Sequence, residues 1–317
     1  MKKFLPVRGI LALLLIAVSC QSGAKVEFVQ GDHQIDVLVD GKLFTTYLFK
    51  PDQVKPILYP INSPSEVTMN RGFPYQKVEG ESEDHSHHTG VFFTFDMIKG
   101  NIFWGSTEKL PEIRHIKVEE MTPGNGKGVL KTLMHWIGVT GLTMLEEKRT
   151  MEFIPGESEN IVDFTMTLTA KDTTVVFHDT KEGMFAIRVA DWLREDGGTG
   201  KYLSSEGEET EKNVWGKKAK WMRLQGEKDG KVFGIAILNH PTSIYYPTYW
   251  HARAYGLFAA NPLGQEAFQS GRGMENPVPY NLTLKPGESA LFRFRMIFYE
   301  GDRTADQIEE VFNQYSQ

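Results

Sequence analysis

The sequence predicts an all-β protein, an antiparallel β-sandwich with one short C-terminal helix, and three observations carry that expectation. Apolar and polar residues alternate at period two in several segments, and turn-forming dipeptides recur between them. Neither a G-x-G-x-x-G nor a G-x-x-x-x-G-K-[ST] element is present, and no long helical period interrupts the strands, which disfavours a nucleotide-binding α/β fold. With 40% apolar and 24% charged residues in 317, the chain has the composition of a globular protein and not of a disordered one.

The N-terminus reads as an address. Lys2, Lys3 and Arg8 precede an uninterrupted apolar run from Ile10 to Val18, which leads through Ser19 into Cys20. This is the pattern of a lipoprotein signal peptide over residues 1–19, with Cys20 as the lipid acceptor. The run is too short to span a hydrocarbon core that needs about 20 residues in helix. Ala17, where Leu is usual, keeps simple secretion as the alternative. Cys20 is the only cysteine, so thiol catalysis and disulfides are excluded together in the processed chain. The expected location is the cell envelope, on the periplasmic or outer-membrane face, with membrane contact through the lipid alone.

Charge narrows the partners. The 35 basic and 41 acidic residues give −6, and removing Lys2, Lys3 and Arg8 leaves 32 against 41, or −9. No block of Lys and Arg follows the signal segment, so a nucleic-acid footprint is not expected. Outside the cytoplasm a nucleotide partner is not expected either.

The remaining body, 20–317, reads as one sandwich domain. Ile35, Val37 and Val39 alternate with Gln34, Asp36 and Leu38 before Asp40-Gly41, a dipeptide suited to a two-residue hairpin turn. Val162, Phe164, Met166 and Leu168 share one face of a half-buried strand, and Leu291 to Phe298 repeats the pattern. Turn signals stand at Pro123 to Gly128, Pro155-Gly156, Asp229-Gly230 and Pro286-Gly287. The glycine-rich acidic stretch Glu195 to Asn213 reads as a long loop. Thr304 and Gln307 form a capping box ahead of Ile308, Val311, Phe312 and Tyr315, which predicts the terminal helix.

Chemistry gathers in three places. Asp84-His85-Ser86-His87-His88-Thr89-Gly90 holds three of the nine histidines directly before the apolar run Val91 to Phe93. If extended, it points His85 and His87 to one side and His88 to the other, a geometry that suits proton transfer near neutral pH or, less favoured, a divalent or transition metal held by His85 and His87. Glu182 and Arg188 fall on one face of a strand with Met184 and Ala186, as a cleft would have them. From His240-Pro241 through Tyr245, Tyr246, Tyr249, Trp250 and His251 to Arg253, aromatics interrupted by prolines suit a pocket-lining loop for a neutral hydroxylated ligand, with Trp215 as a further wall.

These residues carry a resemblance. Lys55-Pro56 to Tyr59-Pro60, Val67-Thr68 with Arg71, the D-H-x-H-H element at Asp84 to His88 with Gly90, Glu182-Gly183 with Arg188, Trp215-Gly216-Lys217, His240-Pro241, Tyr249-Trp250-His251 and Asn261-Pro262 occur in an order that resembles the bacterial family labelled methane oxygenase PmoA-like, over about residues 50–300. Ser86 stands where that family usually has Pro, and Thr89 where Arg is frequent. The resemblance implies a sandwich similar to the galactose mutarotase-like supersandwich, with His, Glu and Arg arranged around a sugar.

The expected function is therefore acid/base chemistry on a sugar or oligosaccharide, of the epimerase, lyase or hydrolase kind. Glu182 is the expected base, His87 or His251 the acid and Arg188 the stabiliser of developing negative charge, with His85 and His88 beside them. Tyr59, Arg71, Asp84, Trp215, His240, Tyr249, Trp250 and Asn261 are the expected substrate-binding residues. No cofactor is favoured. A non-catalytic surface glycan binder is the alternative, and a metalloenzyme of the oxygenase or hydrolase type, with His85, His87 and a third ligand such as Glu182 or His251, is the third.

Overall fold

The computed structural model describes Met1 and residues 23–105 and 109–317. Cys20 and all of the expected signal peptide except Met1 lie outside the described residues. Among the described residues, no helix is long and apolar enough to cross a membrane.

Two large antiparallel sheets pack face to face. One runs in the order Tyr249–Ala252, Leu257–Asn261, Gly183–Arg188, Val91–Phe95, Ile57–Ile61, Lys42–Leu48, Gln34–Val39, Lys25–Gly31 and Gly124–Asn125. The other runs Lys201–Ser204, Trp221–Lys228, Lys231–Asn239, Ser289–Glu300, Glu159–Ala170, Thr143–Pro155, Gly128–Ile137 and Glu112–Thr122. A four-stranded sheet of Leu282–Leu284, Val175–Phe177, Met97–Ile98 and Asn101–Ile102 completes the set. The expected antiparallel sandwich is what is found.

Period-two patterning explains the layers. In Val91–Phe95 the odd residues Val91, Phe93 and Phe95 enter the core between the sheets, where Phe93 meets Phe292 edge-on at 5.4 Å and Phe185 stacks on Phe294 at 4.8 Å. Phe92, on the opposite side, joins Ala186, Leu257, Ala259 and Trp104 in a smaller cluster on the outer face of the first sheet. The outer face of the second sheet is covered by the helix Ala305–Tyr315, which buries Ile308, Phe312 and Tyr315 against Trp221, Leu238 and Ile297. Its capping box is formed as the sequence predicts, with Thr304 accepting from the Gln307 amide and Gln307 from the Thr304 amide. Asp40-Gly41 makes the expected tight hairpin, with both φ angles positive at 48° and 79°.

Two expectations are corrected. Glu195 to Asn213 is not one long loop: it contains the edge strand Lys201–Ser204 and most of the short helix Thr210–Val214, and Glu195 ties these together by accepting from the amides of Tyr202 and Glu211. The aromatic segment around Trp250 is not a pocket loop throughout, because Tyr249–Ala252 is a strand that pairs with Leu257–Asn261 and turns Trp250 and Ala252 into the core.

Candidate functional site

The site lies on the outer face of the first sheet and begins with a turn. Asp84 to His88 is not extended: the His88 amide donates to the His85 carbonyl at 2.9 Å and His85 takes a positive φ of 42°, so the backbone doubles back. All three imidazoles then meet. The ring centroids lie 5.8 Å apart for His85 and His87, 5.0 Å for His85 and His88, and 4.3 Å for His87 and His88. Gly90 ends the turn, and only glycine fits there: its φ is +53° and a Cβ would come within 2.2 Å of the Leu58 carbonyl oxygen.

Asp84 is the hub of this turn. Its Oδ1 accepts from Arg71 at 2.5 Å and from Arg188 at 2.6 Å, both guanidiniums being fully buried, while its Oδ2 faces His85 Nδ1 at 2.7 Å. Burial raises the Asp84 carboxyl, but His85, Arg188 and Arg71 outweigh it and hold the group below its ordinary value. An ionised carboxylate only accepts, so His85 Nδ1 donates and Nε2 is the free ring position. Arg71 also donates to the carbonyls of Ser82, His85 and His88, which fixes the backbone of the turn. Both arginines bind Asp84, and neither lines the adjoining cavity. Ser82, whose hydroxyl donates to Asp191 and accepts from Arg188, belongs to the same clamp.

A cavity of about 440 Å³ receives the result. His85, His87 and His88 line it together with Glu182 and His251, so five of the six expected catalytic residues share one space. Glu182 stands just before the strand Gly183–Arg188, and its neighbour Lys181 forms an ion pair with it. The expected alternation is broken within that strand, because Met184 packs into the inter-sheet core with Phe185 and Ile187 while only Ala186 lies with the outer cluster. Asn261 anchors this segment from the next strand by donating to the Thr180 carbonyl at 2.9 Å.

Arg253, the end of the expected pocket-lining segment, also lines the cavity, and sequence reasoning missed Asp96, Tyr255 and Trp104 there. Asp96 is the most consequential. Its amide donates to the Glu182 carbonyl at 3.1 Å, and burial, followed by the nearby Glu182 charge, pushes its carboxyl up to about 6. An acid that ends the wholly buried run Val91–Phe95 was the available signal. The ring planes of His85 and Tyr255 are parallel within 1° at 5.1 Å.

His251, His87 and His88 are neutral at pH 7. His251 is buried, and burial first, with Lys181 and Arg253 adding, pushes it down to about 3. Its Nδ1 accepts from the Trp215 indole at 3.2 Å, so the proton sits on Nε2 and the ring presents a donor. His87 is pushed down to about 4 by burial and then by Lys55. His88, 2% exposed, is lowered further by burial, and among the described residues both its ring nitrogens lack a partner, as does the Trp104 indole nitrogen. Both residues line the cavity, with these polar atoms turned away from solvent.

The remaining expected binding residues do not line this cavity. Trp250 is wholly buried in the core, its indole donating to the Ala219 carbonyl. His240 packs on Tyr315 of the C-terminal helix at 4.9 Å, far from the histidine turn in the topology. Tyr249 stacks on Phe268 and borders a neighbouring cleft with Lys218, Trp215 borders another with Glu211 and Arg253, and the Tyr59 hydroxyl donates to the Gly72 carbonyl. Among the described residues, no three His, Cys, Asp or Glu side chains are grouped so as to hold a metal ion.

A family model described as a family of unknown function (DUF6807) matches residues 34–313, and the chain belongs to that family. This description, and not the oxygenase label that the motifs resemble, is what the match carries. No curated protein matches the chain. Among solved structures it is similar to a galactose mutarotase related enzyme from Lactobacillus acidophilus, at 9% identity over 86% of this chain and 97% of that one, with a TM-score of 0.38. It is also similar to a galactose mutarotase-like protein from Clostridium acetobutylicum, at 10% identity over 88% and 98% with a TM-score of 0.38. A GH36 alpha-galactosidase from Geobacillus stearothermophilus matches at 10% identity over 88% of this chain and 41% of that one, with a TM-score of 0.40. Scores and identities this low bear on no residue of the site.

Proposed function

We propose that the chain is an exported carbohydrate-active enzyme that transfers protons on a sugar or oligosaccharide held at the histidine turn. The observation that supports this most is the pair of carboxyl groups, Asp96 and Glu182, at one cavity, with Asp96 pushed up to about 6. Two carboxyl groups at one cavity, one of them raised by burial, can divide the work of acid and base. Glu182 as carboxylate takes a proton from the substrate, and Asp96 in its protonated form gives one to the oxygen on which charge develops. Substrate charge is thereby unchanged, and exchange with water resets both carboxyl groups.

The acid role assigned to His87 or His251 on sequence grounds passes to Asp96, because an imidazole pushed down to about 4 or about 3 carries no acidic proton to spare at neutral pH. Those rings contribute as neutral hydrogen-bonding groups, His251 through its Nε2 proton. His85, oriented by Asp84, offers a second proton carrier, in the way a carboxylate fixes the tautomer of a neighbouring imidazole. Arg71 and Arg188 are positioning residues that hold Asp84. A non-catalytic glycan binder has no use for a carboxyl raised toward neutrality, and the resemblance to the PmoA-like family is read as a sugar-site signature.

Lipidation at Cys20 would tether the body, as a single domain, to the cell envelope. A glycan array probed with the processed protein, followed by turnover of each bound glycan with wild type and Glu182→Gln, tests the reading. Binding retained by Glu182→Gln with turnover lost supports it, and equal turnover by the two proteins overturns it.

A further inference from the structure

A second cavity, of about 580 Å³, shares no lining residue with the first. Its wall carries four basic side chains, Lys50, Lys55, Lys109 and Arg114, against one acid, Glu112, which is already paired with Arg114. Among the described residues the three lysines have no carboxylate partner. Lys55 is the unusual one. It is 4% exposed, its ammonium donates to the His87 carbonyl at 3.0 Å and lies 5.1 Å over the Phe92 ring, and burial pushes it down to about 8. A buried ammonium satisfied by one carbonyl retains two unused donors and an uncompensated charge, an arrangement that is costly unless an anion completes it.

The rest of the wall suits a ligand with a body as well as a charge. Phe49 stacks on His115 at 4.0 Å, and His115, pushed down to about 4 by burial, is neutral and presents an aromatic surface. Gln53 borders the edge, its amide donating to the Tyr75 hydroxyl and accepting from the Lys50 amide. We infer that this cavity binds an organic anion of sugar size, a sugar acid whose carboxylate is held by Lys50, Lys55 and Lys109 while its ring lies along Phe49 and His115. Since Lys55 also holds the His87 carbonyl, the occupant of the second cavity connects through one side chain to the turn that builds the first.

Calorimetric titration of the processed chain with glucuronate at low salt, with glucose as the uncharged control, tests this. One equivalent of glucuronate is expected to bind, and its affinity to fall about tenfold or more in the double variant Lys50→Ala/Lys109→Ala, whose two side chains are exposed and outside the core. Lys55→Met is expected to do the same, and if that variant fails to fold the surface pair carries the test. Glu182→Gln, in the other cavity, is expected to leave glucuronate affinity unchanged. Glucuronate binding that survives loss of Lys50 and Lys109, or that is lost in Glu182→Gln, overturns the inference, as does the absence of binding up to about 50 mM.

Discussion

The amide of Asp96 donates to the carbonyl of Glu182 at 3.1 Å, so the end of one buried strand and the start of the next bring two carboxyl groups to the same cavity. A short backbone contact of this kind fixes the pair without using either carboxyl group, and the Glu182 carboxylate meets Lys181 as its ion-pair partner.

Asp84 should matter for stability before it matters for rate. Asp84→Asn removes the charge that two buried guanidiniums share, at an expected cost of about 2–3 kcal/mol, less than for a fully enclosed pair because Asp84 keeps solvent contact. Its carboxyl is held below the ordinary value, so its stabilisation is complete above the unfolded value near 4 and is lost as pH falls through the lower folded value. Urea unfolding at pH 7 and pH 3 should show a gap between the two proteins that narrows at pH 3.

His87 separates proton transfer from metal binding. His87→Ala should leave the melting temperature within about 3 °C, since only a half-buried ring is removed, and should not alter metal content. Loss of a stoichiometric transition metal together with early unfolding would favour the metalloenzyme instead.

Trp250 and His240 distinguish core from site. Trp250→Ala should cost about 3–5 kcal/mol, as expected for a large buried aromatic, whereas His240→Ala should leave kcat/KM within about twofold. A rate collapse in His240→Ala with the fold intact would bring the C-terminal helix into the site.

Cys20→Ser should abolish lipid attachment, read by metabolic labelling with a radioactive fatty acid. Label retained by the variant would refute lipoprotein processing.

The sandwich was legible because its long strands are half-buried and keep their period, as Glu159–Ala170 does, and because Asp40-Gly41 and Thr304 to Gln307 carry local geometry in their own side chains. The histidine motif was legible as chemistry but not as shape: the turn that gathers the three rings depends on Arg71, from an irregular segment, and Arg188, from the strand Gly183–Arg188, whose guanidiniums meet at Asp84. Trp250 misled because an aromatic-rich, proline-broken stretch has the same composition whether it lines a pocket or crosses a core. Asp96 gave only the faint signal of an acid after an apolar run, since its significance comes from burial beside Glu182, and burial is a property of the folded chain.

The most direct test of acid/base catalysis is the pH dependence of kcat/KM for wild type beside Asp96→Asn, on whichever glycan the array identifies. With Asp96 as the acid, the wild-type rate falls on the alkaline side through an apparent pKa of about 6, because the proton that must be donated is lost there. Asp96→Asn should be slower by about 10²- to 10⁴-fold, lack that limb and still bind the sugar. A wild-type profile flat through this range, with Asp96→Asn turning over at the wild-type rate, would contradict the assignment.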